Sequence, residues 1–313
     1  MRLTRGTVAR VAVAGLILVL LAWKVGGQPF LDGLHRVTLP ALLAATALGA
    51  LATLCCAWRW RAVAGGLGMT LSLRGAALAY YRSTFLNVTV PGGVAGDVHR
   101  AVDHGRSAGD VSRGVRAVTW ERAVGQAVQV LVTLAVVAAL PSPARGWVPA
   151  ALALLAVSVL VLVALGRWAP TRAGRLVRAA GRDLRACVLV SRSLPGVLVA
   201  SIIVVACHTA TLVVAARAAG ADASLERLVP VALLILAAMA LPLSLAGWGP
   251  REGAAAWAFG AAGLGAATGL TTAVVYGVLV LVASLPGAAV LMIARRRPLL
   301  VAESRHAQEV VHG

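Results

Sequence analysis

Lysine is almost missing from this sequence. Lys24 is the only one among 29 basic residues, and the acids number 11, so the formal net charge of +18 is an arginine charge. A basic balance of this size invites a nucleic-acid reading. The arginines, however, fall between long apolar runs, where the positive-inside rule places them, and from there they meet lipid headgroups rather than nucleic acid. The four cysteines, Cys55, Cys56, Cys187 and Cys207, follow neither metal spacing nor a disulfide framework. The histidines show no metal spacing either, and no Ser/His/Asp grouping is legible. Gly247-Trp248-Gly249 lacks the preceding strand and the full spacing of a dinucleotide loop. Neither metal, cofactor nor catalytic residue is expected.

Apolar residues are what the sequence has in excess. They make up 60% of it, against about 45–50% in soluble domains, and the mean hydropathy is +0.87. The excess is gathered into runs near the ~20 residues that a helix needs to cross the hydrocarbon core. Six full spans are expected, at 8–23, 39–57, 117–140, 147–166, 195–217 and 269–293. The first ends in Trp23-Lys24 without a small-x-small cleavage site, which reads as a retained helix rather than a signal peptide. Arginines cluster before span one, after span two, before span three, across 167–194 and after the last span. One side of a cytoplasmic membrane receives all of these if both termini are cytoplasmic.

Two segments do not fit as ordinary spans. Residues 76–90 are short, carry Arg82 and Asn87, and run into Pro91-Gly92-Gly93; residues 229–245 meet Pro242 and then Gly247-Trp248-Gly249-Pro250. Proline and glycine at such breaks suggest re-entrant hairpins, at 76–104 and 229–266. The alternative for 229–266 is two ordinary spans, giving up to eight in all. Each half then reads span, span, hairpin, span: 1–140 and 141–294, with 295–313 a cytoplasmic tail. Three crossings per half is an odd number, so the halves have opposite orientation. The expected architecture is an all-α polytopic membrane protein built as an inverted repeat, with both breaks near the bilayer midplane.

The breaks also hold the polar residues. After Gly92 and Gly93, the resuming helix directs N–H groups into the break, a natural phosphate site, and carries Asp97 and Arg100 on one face. After Gly249, Pro250 opens a helix bearing Arg251 and Glu252. Glu121 and Arg122 stand at the edge of span three, where an acid needs a partner; Arg122, Arg100 and Arg251 are candidates. Arg100 and Arg251 are expected to reach a common cavity and grip a lipid phosphate, assisted by Gly92, Gly93 and Gly249. Asp97, Glu121 and Glu252 would hold the arginines or relay protons, with Asn87 and Arg122 in support.

The pattern Asn87-x-x-x-Pro91-Gly92-Gly93-x-x-Gly96-Asp97-x-x-Arg100 resembles the lysylphosphatidylglycerol synthase transmembrane region, a flippase-like membrane family. Glu121-Arg122 resembles that family's acidic-Arg pair, and Pro242 with Gly247-Trp248-Gly249-Pro250-Arg251-Glu252 its second-half motif. Ala95 departs from the pattern, which usually has glycine there. The resemblance implies a protein that moves or modifies lipids. Some members add a soluble aminoacyl-transferase domain; too few residues follow Arg297 for one, so tRNA-dependent transfer is not expected. The leading expectation is a flippase that translocates or binds an anionic phospholipid or a polyprenyl-phosphate-linked lipid. The alternatives are an accessory subunit of a glycosyltransferase or other envelope enzyme, and a membrane-embedded headgroup transferase.

Overall fold

The structure, a computed structural model, describes residues 28–90, 93–189, 193–240 and 249–311. These residues form eleven α-helices and no strand. They are α1 (Gln28–His35), α2 (Leu39–Gly66), α3 (Leu73–Thr89), α4 (Ala95–Ser107), α5 (Val111–Ala139), α6 (Val148–Trp168), α7 (Arg172–Leu184), α8 (Leu194–Ala218), α9 (Leu225–Met239), α10 (Pro250–Ala261) and α11 (Ala266–Val311). Five are long and apolar enough to cross a membrane: α2, α5, α6 with the short turn before it, α8, and α11 through Ile293. They coincide with five of the six expected spans; the span at 8–23 lies outside the described residues.

Local chemistry sets the helix starts. Pro40, Pro149 and Pro195 occupy the first turns of α2, α6 and α8, where a missing N–H costs nothing. Ser72, Asp110 and Thr171 cap α3, α5 and α7 through their side-chain oxygens. Two boundaries differ from the sequence reading. Capped at Asp110, α5 begins at Val111 rather than 117, and α2 runs to Gly66 rather than 57. Arg59 therefore lies inside a membrane helix, not in the flank after it.

The two interrupted segments fall on pairs of short helices, α3 with α4 and α9 with α10; Pro242, Gly247 and Trp248, between the latter two, lie outside the described residues. The arms have 17 and 13 residues in the first, 15 and 12 in the second. At 1.5 Å per residue each rises less than about 26 Å, short of a ~30 Å hydrocarbon core. The first unit is closed by Asn87, whose Oδ1 accepts a 2.8 Å hydrogen bond from the Gly96 N–H across the break. The N–H donors expected to be free at this helix start are thus partly satisfied within the protein. Gly93 turns the chain with φ +65° and Gly249 does so with φ +108°, conformations that exclude most side chains.

Close helix approach makes the bundle tight. A Cβ added at Gly96 would lie 2.0 Å from the Ser83 carbonyl oxygen, and one at Gly287 would lie 2.1 Å from that of Tyr81. Small residues at crossings are how apolar helices associate where water gives no driving force. They fix α3 between α4 and α11.

The helix pairings come in sets that exchange when the halves are exchanged. α2 packs on α8; α4 on α5, as α10 on α11; α2 on α3, as α8 on α9; α3 on α11, as α9 on α5; α2 on α5, as α8 on α11. α6 is the outlier. It packs mainly on α7, and its Leu154 and Leu160 side chains are about two-thirds exposed (69% and 66%).

The glycine contacts carry a stability prediction. Gly96→Ala forces the α3 and α4 backbones apart and should destabilise the protein by about 1–3 kcal/mol, the usual cost of overpacking. Gly65→Ala, with open space within 4 Å of the new Cβ, should leave stability unchanged or slightly higher. Thermal unfolding in detergent compares the two; equal midpoints would contradict this packing.

Candidate functional site

Glu121, on α5, is completely buried. Its Oε1 accepts hydrogen bonds from Arg59 Nε at 3.0 Å and Arg59 Nη2 at 2.5 Å. Its Oε2 accepts one from Arg100 Nη2 at 2.6 Å, and the Tyr80 hydroxyl donates to Oε1 at 3.3 Å. One carboxylate thereby ties α2, α3, α4 and α5. The network continues through Arg100, whose Nε donates to Asp97 Oδ1 at 3.0 Å. Asp97 also accepts from Ser83 Oγ (3.2 Å) and Asn87 Nδ2 (2.9 Å) and pairs with Arg122. Arg100 Nη1 makes no hydrogen bond. Its guanidinium is instead sandwiched by aromatic faces, 4.8 Å from the Trp60 ring centre and 4.3 Å from that of Tyr80, a partner that suits a desolvated cation.

A cavity of about 350 Å³ opens on this network. Its walls come from both halves: Arg59, Tyr80, Asn87, Gly93, Asp97, Arg122, Gln126 and Gln129 from the first, and Ser201, His208, Met239, Ala240 and Tyr276 from the second. The described residues beside both breaks therefore border one space. Arg122 is the open cation, with its side chain 44% exposed. Arg59 shows only its edge (6%) and is pinned on its far side by Ser201 Oγ at 3.0 Å.

The second-half pair lies at the start of α10. Arg251 Nε donates to Glu252 Oε1 at 2.8 Å, and Glu252 Oε2 accepts the Gly249 N–H at 2.6 Å. Arg251 lies 5.9 Å from the ring centre of Tyr276, whose hydroxyl meets His208 Nδ1 at 3.4 Å. Glycines make room for the guanidiniums. A Cβ at Gly125 would lie 2.8 Å from Arg59 Nη2, and one at Gly277 would lie 2.5 Å from Arg251 Nη2.

Of the residues singled out in the sequence, the structure brings Asn87, Gly93, Asp97, Arg100, Glu121 and Arg122 into one network or its cavity wall. Glu252 pairs with Arg251 and accepts the Gly249 N–H. Gly92 lies outside the described residues. Arg100 and Arg251 are not among the described residues that line the cavity. Burial behind Tyr80 and Trp60 removes Arg100, at 1% exposure, and Arg251 stands behind Tyr276. Arg59 and Arg122 occupy the wall in their place.

The family model described as the lysylphosphatidylglycerol synthase TM region matches residues 7–287. The chain belongs to this family. No curated protein matches it. Arg59 is the residue of the site that sequence reasoning missed. A usable signal existed: Cys56, Arg59, Trp60 and Val63 recur at helical spacing beyond the apparent end of span two. Gln126, Gln129, Ser201 and Tyr276 gave no comparable signal.

Glu121→Gln removes the charge that neutralises two buried guanidiniums. Breaking a buried pair from one side costs about 3–5 kcal/mol, so the yield of monodisperse protein and its thermal midpoint should fall sharply. Glu226→Gln, at an exposed position of α9, should change neither. Unaltered stability of Glu121→Gln would remove this carboxylate from its structural role.

Proposed function

We propose that this protein binds an anionic lipid at the cavity between its halves and moves the headgroup across the membrane. The observation that carries the reading is a charge surplus beside an open space. Three guanidiniums, Arg59, Arg100 and Arg122, face two carboxylates, Asp97 and Glu121. A net positive charge in a low-dielectric wall favours an anion, and a phosphate offers the acceptor geometry that guanidinium donors match. Arg122 makes the first contact, and Arg59 follows at its edge. Arg100 and Arg251 hold the wall from behind. The Glu121 oxygens are engaged by two guanidiniums, and Asp97 is engaged by Arg100 and Arg122. That leaves no unpaired acid there to act as a base, which favours transport over headgroup transfer.

The exchangeable helix pairings support an inverted repeat around α2 and α8, in which α3–α4 and α9–α10 are re-entrant hairpins entering from opposite sides. Rocking one half against the other would then turn the shared cavity from one face to the other. The arginines exposed along α7 support a cytoplasmic location for that helix and for both termini in the cytoplasmic membrane. Ala180→Cys, in a chain with its own four cysteines replaced, should resist an impermeant thiol reagent applied to intact cells. Labelling from outside would reverse the orientation.

Reconstitution into liposomes with fluorescent anionic lipids tests the transport reading. Arg122→Ala should reduce translocation at least ~tenfold, equivalent to about 1.4 kcal/mol, with folded protein still recovered. Arg122→Lys should retain part of it, since the charge survives and the fork does not. Normal translocation by Arg122→Ala would favour the accessory-subunit reading.

A further inference from the structure

The polar side chains that line the shared cavity are of two kinds, those already paired and those left open. Arg59, Tyr80, Asn87, Asp97 and Ser201 are held in hydrogen bonds with one another or with Glu121. Gln126 and Gln129 are half-buried in the wall, and their side-chain amides make no hydrogen bond among the described residues. His208, from the other half, engages only Nδ1, at the Tyr276 hydroxyl. Arg122, Gln126 and Gln129 stand at i, i+4 and i+7 on α5, one stripe along about 10 Å of helix. A phosphate at Arg122 therefore has its attached group one and two turns away, beside the two amides.

Open amides inside a membrane helix are costly unless something polar meets them. Each carries two N–H donors and one accepting oxygen, and that chemistry separates the candidate headgroups. A bare phosphate monoanion or dianion is chiefly an acceptor and would leave both amide oxygens without a donor. An aminoacylated headgroup brings an ammonium, which needs a carboxylate. Asp97 is the one acid among the described lining residues, and its oxygens are taken by Arg100, Arg122, Ser83 and Asn87. A hydroxyl both donates and accepts, and so meets both ends of an amide. Several hydroxyls together meet two glutamines and the second nitrogen of His208. There is room for them: a cavity of about 150 Å³ holds a benzene, and this one has about 350 Å³.

We infer that the lipid carries a polyhydroxylated group on its phosphate, a cyclitol or a sugar, with the phosphate at Arg122 and the hydroxyls at Gln126, Gln129 and His208 Nε2. This rests on the lipid-binding reading above and names the headgroup.

The test uses purified full-length protein in detergent and measures affinity for three lipids with the same dioleoyl tails: phosphatidylinositol, phosphatidylethanol and lysylphosphatidylglycerol. The first two carry the same phosphodiester charge and differ in their hydroxyls. Phosphatidylinositol should bind at least ~tenfold tighter than either of the others, because a site built for hydroxyls rejects an analogue that leaves its polar groups unpaired. Gln126→Leu combined with Gln129→Leu should erase that advantage and leave phosphatidylethanol binding unchanged. Gln126→Ala with Gln129→Ala serves the same end should the leucine pair fail to fold. Arg122→Ala should weaken both phosphodiesters. Arg122-dependent binding in which phosphatidylethanol or lysylphosphatidylglycerol equals or exceeds phosphatidylinositol overturns the polyhydroxyl inference and leaves the lipid-binding reading standing. Glutamine variants that keep the full phosphatidylinositol advantage also overturn it. Binding indifferent to Arg122→Ala overturns both, as does soluble inositol 1-phosphate binding as tightly as the lipid.

Discussion

The Glu121 carboxylate, buried between Arg59 and Arg100, is the constraint on which the first half of the molecule turns. A charged side chain at the centre of a membrane helix costs about 2.5–3.5 kcal/mol on insertion scales, and several of them together would exclude these segments from the bilayer. The cost is offset only when each charge meets its opposite in good geometry with its remaining donors occupied. Glu121 satisfies that condition for α2 and α4 at once, Tyr80 adds α3, and Asp97 extends the same arrangement to Arg122. Helix α4 is short and polar. Its Arg100 is shared between Asp97 on the same helix and Glu121 on α5, which ties the two helices together.

Backbone approach and side-chain charge act together here. Gly96 lets α4 lie against Ser83, and that contact brings Asp97 within reach of the Ser83 hydroxyl and the Asn87 amide. Asn87 in turn binds the Gly96 N–H. These local hydrogen bonds tie the end of α3 to the start of α4 across the break. The same economy appears at the second break, where the Glu252 carboxylate accepts the Gly249 N–H.

The spans were legible because a twenty-residue apolar run has one physical use, and five of the six expected fall on described helices. The interruptions were legible because proline and glycine have few places in a membrane helix. The acids were legible because they are scarce: Asp97, Glu121 and Glu252 each hold an arginine. Arg59 was not legible, because hydropathy treats an arginine as the end of a span. Its partner is Glu121, 62 positions later, and a partner that distant leaves no local trace. How the Arg100 and Arg251 side chains stand to the cavity was not legible either. Their position after each break was clear, but whether a side chain lies in a wall or behind it depends on aromatic neighbours such as Tyr80 and Tyr276 that carry no motif.

The two halves are alike in pairing and unlike in charge, and the difference bears on mechanism. In the second half Arg251 and Glu252 neutralise each other within one helix turn, so that half adds no net charge to the shared space; it contributes Ser201, His208 and Tyr276 instead. In the first-half network three guanidiniums, Arg59, Arg100 and Arg122, meet two carboxylates, Asp97 and Glu121. On the lipid-transport reading proposed above, a headgroup held between such walls is gripped by one and only brushed by the other. Separation of the halves would therefore leave it with the first half, and the second would be free to part from it toward either side. Two equally charged walls would hold the anion between them and resist opening; one charged wall allows binding and release to be separate events.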